Sequence, residues 1–300
     1  MKLLITCDLH QFIPKWNKLV DVVTEEKPRF VLIAGDLLPK TGGHEGQKQF
    51  FKQMRQHLAS IQLTGTTTLL YFGNDDHHIL EPQLDQLASE NLCVNMNNRV
   101  HRAQTLTFCG MNRVRDYPFG CKHWCASDGE FIENPICGQG MTLNEHGEYI
   151  QLPNLRDHLL EKPSLTNQMN RLKNQLKPGE IEQSIWIIHN PRSNLRMDIC
   201  ADGNEVGSPN ILQFITDNQP LLGCSGHIHE SPYQPRGKWI GLIGDTIWIQ
   251  PGQMGERLHY VTLEITNKRN IQNIRHSVLG TTTIEFRRFK TGLWQCNFPS

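Results

Sequence analysis

The chain has 300 residues, with 30 lysines and arginines against 30 aspartates and glutamates, so its formal net charge is zero. A balanced charge provides no broad basic surface for a nucleic-acid backbone, which argues against nucleic acid and favours a small substrate as the partner. No apolar run reaches the length of a membrane span, and the apolar segment at the N-terminus is too short for a signal peptide. We therefore expect no membrane contact and a cytoplasmic protein.

Five short apolar or β-branched runs predict β-strands, and each is followed by residues that are able to bind a metal ion. The first run, Leu3 to Thr6, precedes Asp8 and His10, and the last is the shorter segment Leu221 to Cys224. In α/β sheets, ligands bind in the crevice beyond the carboxyl ends of the strands. The candidate ligands at these strand ends are, in chain order, Asp8, His10, Asp36, Asn74, His189, His227 and His229.

The type and spacing of these residues favour a metal site over a set of independent turns. Each motif by itself, such as Gly35-Asp36, is common in surface turns, where glycine supplies backbone freedom and aspartate caps an amide. Two ligands separated by one residue lie on the same side of an extended backbone, so Asp8 and His10 are expected to face one ion. The mixture of nitrogen and oxygen donors favours two Mn, Fe or Zn ions, and Asp36 would be able to bridge ions about 3.5 to 4 Å apart.

The ordered set Asp8-x-His10, Gly35-Asp36, Gly73-Asn74, His189 and Gly226-His227-x-His229 resembles the signature of the calcineurin-like metallophosphoesterases. The resemblance extends over most of the chain up to the Pro-Gly turn at Pro251 and Gly252. It implies an α/β fold, a four-layer α/β/β/α sandwich with two mixed β-sheets and helices outside. It also implies one metal held by Asp8, His10, Asp36 and His229, and a second held by Asp36, Asn74, His189 and His227. A hydroxide that bridges the two ions would then attack phosphorus.

One position departs from the pattern of this family. Where the family usually has Gly-Asn-His, this sequence has Asp75, followed by Asp76, His77 and His78. The family's histidine protonates the leaving oxygen or stabilises the transition state, and we predict Asp75 or His77 as the catalytic acid, with His78 as a further candidate. Two alternatives stay open. Two nearby metal ions would oppose protonation of Asp75, and Asp75 or Asp76 would also suit the cap of a helix from Ile79 to Glu90.

Apolar residues at helical spacing follow the first three strands and predict helices that cover a sheet. These stripes are Trp16, Leu19, Val20, Val22 and Val23; Phe50, Phe51, Met54, Leu58 and Ile61; and Ile79, Leu80, Leu84 and Leu87. We predict a single domain over residues 1–300, with a C-terminal strand extension at about 258–300. At about 112–180 several prolines and glycines predict an irregular insertion with one helix near 165–176. It is a candidate lid that selects substrates, a surface elaboration, or a surface that contacts a partner chain.

Two arginines are predicted to bind the substrate phosphate. Arg113 and Arg192 lie just after predicted strand ends, as does Arg115, and a guanidinium pairs with phosphate through two hydrogen bonds. Each arginine also suits a solvated position or a pair with a surface carboxylate.

The nine cysteines are expected to be reduced, since an odd number without an export signal argues against a disulfide framework. A group formed by Cys109, Cys121, Cys125 and Cys137 is an alternative structural zinc site. Its spacing lacks the paired Cys-x-x-Cys pattern, and buried free cysteine is common, so we favour free thiols.

Together these residues predict a metal-dependent phosphoesterase that hydrolyses small phosphate mono- or diesters. A nuclease on short nucleic acid is one alternative, although the zero net charge argues against it. A non-catalytic metal-binding scaffold is the other, although all the predicted ligands are present. The sequence leaves the natural substrate, the metal pair and the oligomeric state open.

Overall fold

Two β-sheets stacked face to face form the centre of the protein. The computed structural model describes residues 1–129, 140–267, 270–288 and 294–296. The strands are, in chain order, β1 (Lys2–Thr6), β2 (Phe30–Ile33), β3 (Thr67–Leu70), β4 (Val94–Asn95), β5 (Arg99–Ala103), β6 (Leu106–Met111), β7 (Gly140–Leu143), β8 (Tyr149–Leu152), β9 (Ser184–Ile188), β10 (Leu222–Cys224), β11 (Ile240–Ile243), β12 (Thr246–Ile249), β13 (Val261–Asn267), β14 (Asn270–His276), β15 (Gly280–Arg288) and β16 (Trp294–Cys296). The helices are α1 (Ile13–Glu26), α2 (Gly43–Leu63), α3 (Glu81–Ser89), α4 (Leu155–Leu160), α5 (Leu165–Lys173) and α6 (Pro209–Asn218).

Both large sheets are mixed. The first has the spatial order β16-β15-β14-β13-β1-β2-β3-β4, and the second has the order β11-β12-β10-β9-β6-β5. Strands β1 to β4 run parallel, whereas β13 runs antiparallel to β1. In the second sheet β6, β9, β10 and β12 run parallel, and the edge strands β5 and β11 run antiparallel to their neighbours. Strands β7 and β8 form a separate hairpin.

Side chains that alternate along the central strands fill different cores. In β1, Ile5 packs between the two sheets, whereas Leu4 packs against α1, α2 and α3. In β9, Ile187 packs between the sheets, whereas Trp186 contacts α5 and α6. Successive side chains of a strand point to opposite faces, so a strand covered on both sides needs a continuous apolar run, as these strands have. The predicted four-layer α/β/β/α sandwich is confirmed.

Only the first part of the segment 112–180 departs from the layered arrangement. Helix α5 lies in the helix layer of the second sheet, where Leu165, Met169 and Leu172 are buried against β6 and β9. It is therefore the crossover helix between two parallel strands of that sheet. The irregular part of the predicted insertion ends before α5, and residues 130–139 of it lie outside the described residues. No helix in the described part of the chain combines the length and hydropathy needed to cross a membrane.

The chain after Asp75 does not use an aspartate as a helix cap. A short 3-10 turn at His78–Leu80 leads into α3, and the residue before this helix, Leu80, makes no side-chain cap hydrogen bond. The alternative in which Asp75 or Asp76 caps this helix is therefore wrong. The Asp76 carboxylate binds other backbone groups instead.

His123 and Trp124 fasten the segment after β6 to the turn that follows β3. The His123 Nε2 and Trp124 Nε1 atoms lie 3.0 and 2.6 Å from the carbonyl oxygen of Asp76. The His123 Nδ1 atom lies 3.2 Å from the sulfur of Cys121. Because a carbonyl oxygen only accepts, Nε2 carries the proton of a neutral ring. Burial lowers the pKa of His123 to about 3, so the ring stays neutral in the folded protein near pH 7.

We expect His123 to make the folded protein less stable in mild acid. The unfolded ring, with a pKa near ~6.5, takes up a proton between pH 7 and about 5.5, whereas the folded ring does not. The contribution of His123 to the free energy of unfolding is therefore present at pH 7 and falls by about 1 kcal/mol between pH 7 and pH 5.5. Urea unfolding at both pH values should show a loss for the wild type that is larger than for His123→Asn by this amount. His146→Asn, at a histidine whose side chain is 73% exposed, should leave the wild-type loss unchanged. Equal losses in wild type and His123→Asn would contradict the assignment.

Candidate metal centre

The seven predicted metal ligands lie together where the two sheets meet. They are Asp8 and His10 after β1, Asp36 after β2, Asn74 after β3, His189 after β9, and His227 and His229 after β10. Two hydrogen bonds join the sheets directly at this edge. The His189 Nδ1 atom donates to the Ala34 carbonyl at 2.7 Å, and the His227 backbone N–H donates to Asp8 Oδ1 at 3.0 Å.

The turns that carry the ligands are sharper than an extended strand. Asp8, His10, Asp36 and His227 have φ angles of 51°, 47°, 52° and 71°, in the left-handed region. The expectation that Asp8 and His10 lie on an extended backbone is therefore wrong, and their side chains belong to two different groups of candidate ligands that share Asp36. Aspartate and histidine are enriched among non-glycine residues with positive φ. Such backbone strain persists only where surrounding contacts hold it.

Two glycines let the ligands approach the backbone closely. A Cβ atom on Gly73 would collide with the Asp36 carboxylate, and a Cβ atom on Gly35 would collide with the His189 ring. Gly35 also has a φ of 86°, which side chains rarely tolerate. These contacts explain the glycines that precede Asp36 and Asn74 in the sequence.

The ligand atoms form two groups that share Asp36. His10, Asp36 and His229 each place one ligand atom within 4.8 Å of the others, and Asp8, Asp36 and His189 do the same. The Nε2 atoms of His10 and His229 are 3.3 Å apart, and His189 Nε2 is 3.4 Å from Asp36 Oδ2. Among the described residues, these are the two groups in which three or more His, Cys, Asp or Glu side chains place ligand atoms within 4.8 Å of one another. Neither group contains a cysteine. Cys137, part of the alternative zinc site, lies outside the described residues.

Asn74 and His227 lie against the second group. The Asn74 Oδ1 atom is 2.9 Å from His189 Nε2 and 2.6 Å from His227 Nδ1. An amide oxygen and two ring nitrogens that converge on one point form a mixed N/O donor set. The structure therefore brings together all the side chains that the sequence pattern selected as ligands.

Burial keeps three of the ligand histidines neutral. It lowers the pKa of His10 to about 4 and that of His227 to about 3. Burial also holds the pKa of His229 well below its usual value, and the neighbouring His10 adds to this effect. A neutral imidazole offers a lone pair to a metal ion.

The carboxylates experience stronger and opposing effects. Burial alone would raise the pKa of Asp36, but the adjacent His189 outweighs it and holds that pKa well below the usual range. Burial would lower the pKa of His189, but Asp36 raises it to about 9. Burial raises the pKa of Asp8 to about 7, and its Oδ2 atom is buried without a hydrogen-bond partner. Such an oxygen is costly unless a cation or donor satisfies it.

Asp76 is a structural residue whose role the sequence did not reveal. Its fully buried carboxylate accepts hydrogen bonds from the backbone N–H groups of Leu37, Leu38 and Gly73, at 2.7 to 3.1 Å. These groups belong to the turns that follow β2 and β3, so one side chain fixes the distance between the two turns. The available signal was a second aspartate directly after a strand-end turn, where backbone N–H groups need acceptors.

Asp75 lies at the metal centre, whereas His77 lies beside it. The Asp75 carboxylate is 2.9 Å from Lys40 Nζ and accepts from Asn74 Nδ2 at 2.9 Å. The His77 Nε2 atom is 3.1 Å from the hydroxyl of Tyr149, and His77 lines a small cavity of about 120 Å³ that Lys40 and Asp75 also border. His77 does not line the larger cavity next to the ligands, so its position does not support direct proton donation there.

A cavity of about 300 Å³ opens beside the ligand atoms. Its lining includes Asp36, Asn74, His227 and His229, and the walls that face them come from two loops, residues 115–119 and 200–206. The first loop belongs to the predicted insertion, and the second follows β9 and was not singled out from the sequence.

Of the three arginines considered as phosphate ligands, Arg115 lines this cavity. Arg113 instead donates to the His123 carbonyl at 3.2 Å. Arg192 is fully buried, with its guanidinium carbon 5.7 Å from the centre of the Trp248 ring. Neither the half-buried Arg113 nor the buried Arg192 lines the cavity, so the structure does not bring these two predicted phosphate ligands to the candidate metal centre.

Residues 1–231 match the model of a family described as calcineurin-like phosphoesterase. No curated protein matches the sequence. TT1561 of Thermus thermophilus has a similar structure, with a TM-score of 0.53, 14% identity and coverage of 87% of this chain and 93% of that one. A dimetal phosphatase from Danio rerio has a TM-score of 0.51, 11% identity and coverage of 92% and 95%. A Plasmodium protein described as GAP50, the anchor in the inner membrane complex, has a TM-score of 0.52, 13% identity and coverage of 97% and 90%. At these identities the likeness shows the fold alone.

We expect Asp76→Asn to lower the free energy of unfolding by about 2 to 4 kcal/mol, because an amide accepts fewer of the three N–H groups and turns its own NH₂ toward them. The affinity for Mn²⁺ should fall as well, since the turns that carry Asp36 and Asn74 lose their common anchor. Urea unfolding and calorimetric titration with Mn²⁺ measure the two effects. Asp217→Asn, at an exposed position of α6, is the control and should change both by little. Unchanged stability in Asp76→Asn would refute the anchoring role.

Proposed function

The chain belongs to the calcineurin-like phosphoesterase family, and on that premise we propose that it hydrolyses small phosphate mono- or diesters with two transition-metal ions. The observation that carries the proposal is that two metal-capable groups share one carboxylate, that of Asp36. A shared carboxylate is suited to hold two ions side by side, and a pair of ions suits in-line displacement at phosphorus.

The donor set fits Mn, Fe or Zn, since neutral imidazoles are combined with carboxylate and amide oxygens. The buried Asp8 Oδ2 atom without a partner and the two facing Nε2 atoms of His10 and His229 are arrangements that a cation would stabilise. We assign one ion to Asp8, His10, Asp36 and His229, and the other to Asp36, Asn74, His189 and His227. Asp8 lies near both groups, and we place it with the first because its Oδ1 atom is 3.8 Å from His229 Nε2. When bound, such ions supply Lewis-acid stabilisation of phosphoryl charge and lower the pKa of water.

Backbone carbonyls orient two of the ligand rings in advance. The Nδ1 atom of His10 is 3.3 Å from the Leu38 carbonyl, and that of His189 is 2.7 Å from the Ala34 carbonyl. With the Nδ1 proton directed to the carbonyl, each ring presents Nε2 to the centre. In neutral His10 this atom offers a lone pair, and in His189 a bound ion would displace the second proton. The sheet edges therefore fix both the tautomer and the direction of these ligands.

Backbone N–H groups orient the two carboxylates. Asp36 Oδ1 accepts from the Asp75 N–H at 2.9 Å, and Asp8 Oδ1 accepts from the His227 N–H at 3.0 Å. The second oxygen of Asp36, Oδ2, lies 3.4 Å from His189 Nε2, and Asp8 Oδ1 also lies 3.8 Å from His229 Nε2, so both carboxylates reach the centre. Ligands held in this way lose little conformational entropy when an ion or substrate binds.

The cavity favours a substrate with one phosphate and an apolar alcohol group. Its described lining combines apolar surface from Tyr117, Phe119, Val206 and Ile228 with the carboxylates of Asp116, Glu205 and Glu230. Negative charge away from the ligands disfavours substrates that carry further phosphates, including nucleic acid. A volume of about 300 Å³ suits a small molecule.

We place this activity in the cytoplasm. The described cysteines with free thiols are Cys7, Cys93, Cys109, Cys121, Cys125, Cys200 and Cys224. Free thiols persist in reducing compartments, which supports this location.

Replacement of Asp36 should abolish turnover while the fold is kept. Asp36→Asn keeps the size of the side chain but removes the charge that two ions would share, so we expect turnover of an aryl phosphodiester with Mn²⁺ to fall by a factor of about 10³ or more. Steady-state kinetics measure the loss, and circular dichroism checks the fold. Asp217→Asn, on the exposed side of α6, is the control and should retain full activity. A folded Asp36→Asn protein with full activity would exclude the two-metal mechanism.

The loop 115–119 should select among alcohol groups. Phe119 is 60% exposed and lines the cavity, so Phe119→Ala should lower kcat/KM for bulky aromatic esters by about tenfold relative to a methyl ester, by loss of apolar contact. Competition between the two esters gives the ratio directly. Leu160 is 57% exposed in the same predicted insertion but does not line the cavity, so Leu160→Ala should leave the ratio unchanged. The same ratio in Phe119→Ala as in wild type would rule out substrate selection by this wall.

A further inference from the structure

Lys40 and Asp75 form an ion pair at the boundary between the metal centre and the adjacent small cavity. The Lys40 Nζ atom is 2.9 Å from Asp75 Oδ2. Both residues line the cavity of about 300 Å³ beside the ligand atoms, and both also line the cavity of about 120 Å³ that contains His77. The pair therefore separates the two spaces and faces each of them.

Asp75 has three separate contacts that all reach the reacting region. Its Oδ1 atom accepts from Asn74 Nδ2 at 2.9 Å, its Oδ2 atom binds the Lys40 ammonium, and its backbone N–H donates to Asp36 Oδ1 at 2.9 Å. Because the amide nitrogen of Asn74 is directed to Asp75, the amide oxygen is directed to His189 and His227. Asp75 thus orients one ligand and one cation with a single carboxylate.

The Lys40 charge acts on several of the candidate ligands. Burial is the largest cause of the lowered pKa of His10, His227 and His229, and Lys40 lowers each of them further. Asp75, Asp36 and Asp8 in turn raise the pKa of Lys40, against the effect of burial. Lys40 also lines the large cavity together with Asp36, Asn74, His227 and His229. The lysine carries its charge throughout the neutral range.

Two permanently charged cations line the described part of the large cavity, Lys40 and Arg115. Arg115 donates from its guanidinium to the Gly207 carbonyl at 2.9 Å, a contact that holds it in the loop wall. Lys40 has three N–H donors, and Asp75 is its acceptor among the described residues. The ammonium therefore has donors to offer an anionic group in the cavity.

We propose that Lys40 binds the anionic oxygens of the substrate phosphate and that Asp75 is a positioning residue that aims both Lys40 and Asn74 at it. This inference rests on the proposed phosphoesterase function and adds a recognition element supplied by the protein. It also reassigns Asp75 from proton donor to support. The Lys40 ammonium would repel metal ions bound at the neighbouring ligands. A phosphate with two or more negative oxygens, bound between the ammonium and these ions, would attract both and make the arrangement favourable.

Phosphate affinity tests this role without any need for turnover. Calorimetric titration of inorganic phosphate into the Mn²⁺-loaded protein should show binding that is weaker by about 10- to 100-fold in Lys40→Met, as expected for the loss of a charge-assisted hydrogen bond. Lys40→Arg keeps the charge and should lose less than Lys40→Met. Lys48→Met is a matched control, because Lys48 is 54% exposed against 51% for Lys40 and also pairs with a carboxylate, that of Glu45 at 3.8 Å. It should bind phosphate as the wild type does.

Titration with Mn²⁺ separates phosphate recognition from damage to the ligand cluster. Lys40→Met removes a positive charge near the ligands, so Mn²⁺ should bind at least as tightly as it does to the wild type. Weaker Mn²⁺ binding in Lys40→Met would show a structural role and overturn the proposal. So would unchanged phosphate affinity in Lys40→Met.

A double-mutant cycle tests the positioning role of Asp75. Asp75→Asn keeps an oxygen that can accept from Asn74 but removes the charge that holds Lys40, so phosphate affinity should fall. In the Lys40→Met background, Asp75→Asn should change the phosphate dissociation constant by less than about one third of the factor seen in the wild-type background, because the ammonium that Asp75 positions is absent. Equal effects in both backgrounds would refute positioning through Lys40.

The kinetic comparison keeps the two proposals distinguishable. If wild type hydrolyses aryl phosphodiesters, kcat/KM in Lys40→Met should fall by about 100-fold, in line with loss of one preorganised charge at the phosphoryl group. Normal hydrolysis in Lys40→Met would reject the lysine role and leave the phosphoesterase function standing. If wild type binds phosphate through Lys40 but hydrolyses no ester, the proposed function fails and the recognition site stands.

Discussion

The hydrogen bonds of one buried carboxylate, that of Asp76, determine how the ends of β2 and β3 meet. Its oxygens accept from three backbone N–H groups in the two turns that follow these strands. The backbone carbonyl oxygen of Asp76 accepts from the side chains of His123 and Trp124, which belong to the segment that follows strand β6 of the second sheet. Buried N–H groups without acceptors would each cost free energy, so the turns keep this geometry. The distance between Asp36 and Asn74, and the place of the cavity wall, both follow from it.

The sandwich supplies the rigidity that a buried polar centre needs. Apolar residues fill the space between the sheets and the space under each helix layer, so the strand ends are held from both faces. Positive φ angles at Asp8, Asp36 and His227, and an unsatisfied oxygen on Asp8, are unfavourable by themselves. The packing of the surrounding layers holds these groups in place, and a cation bound among them would relieve part of the cost. Buried apolar side chains in the cores thus stabilise the fold, whereas the candidate ligands lie together at one edge of the two sheets.

The candidate ligands and the cavity walls lie on different parts of the chain. The candidate ligands lie on strand ends of the two sheets, where hydrogen bonds across the sheet edge fix them. The cavity walls come from the loops 115–119 and 200–206, which tolerate sequence change more readily than a sheet does. Lys40 and Asp75 lie between these two regions. A family fold can therefore keep one chemistry while loops and boundary residues change which esters fit.

The sequence by itself determined the layers of the sandwich and the set of candidate ligands, because both depend on local features. Burial on two faces demands unbroken apolar strands, and ligands must follow strand ends directly. The sequence did not determine which basic residues face the cavity: Arg192 packs on Trp248, whereas Lys40 reaches Asp75, a neighbour that lies far along the chain. Nor did it show that Asp76 joins two turns rather than capping a helix. These outcomes depend on which distant segments pack together, and only the tertiary structure decides whether a charged side chain meets solvent, a core or a partner of opposite charge.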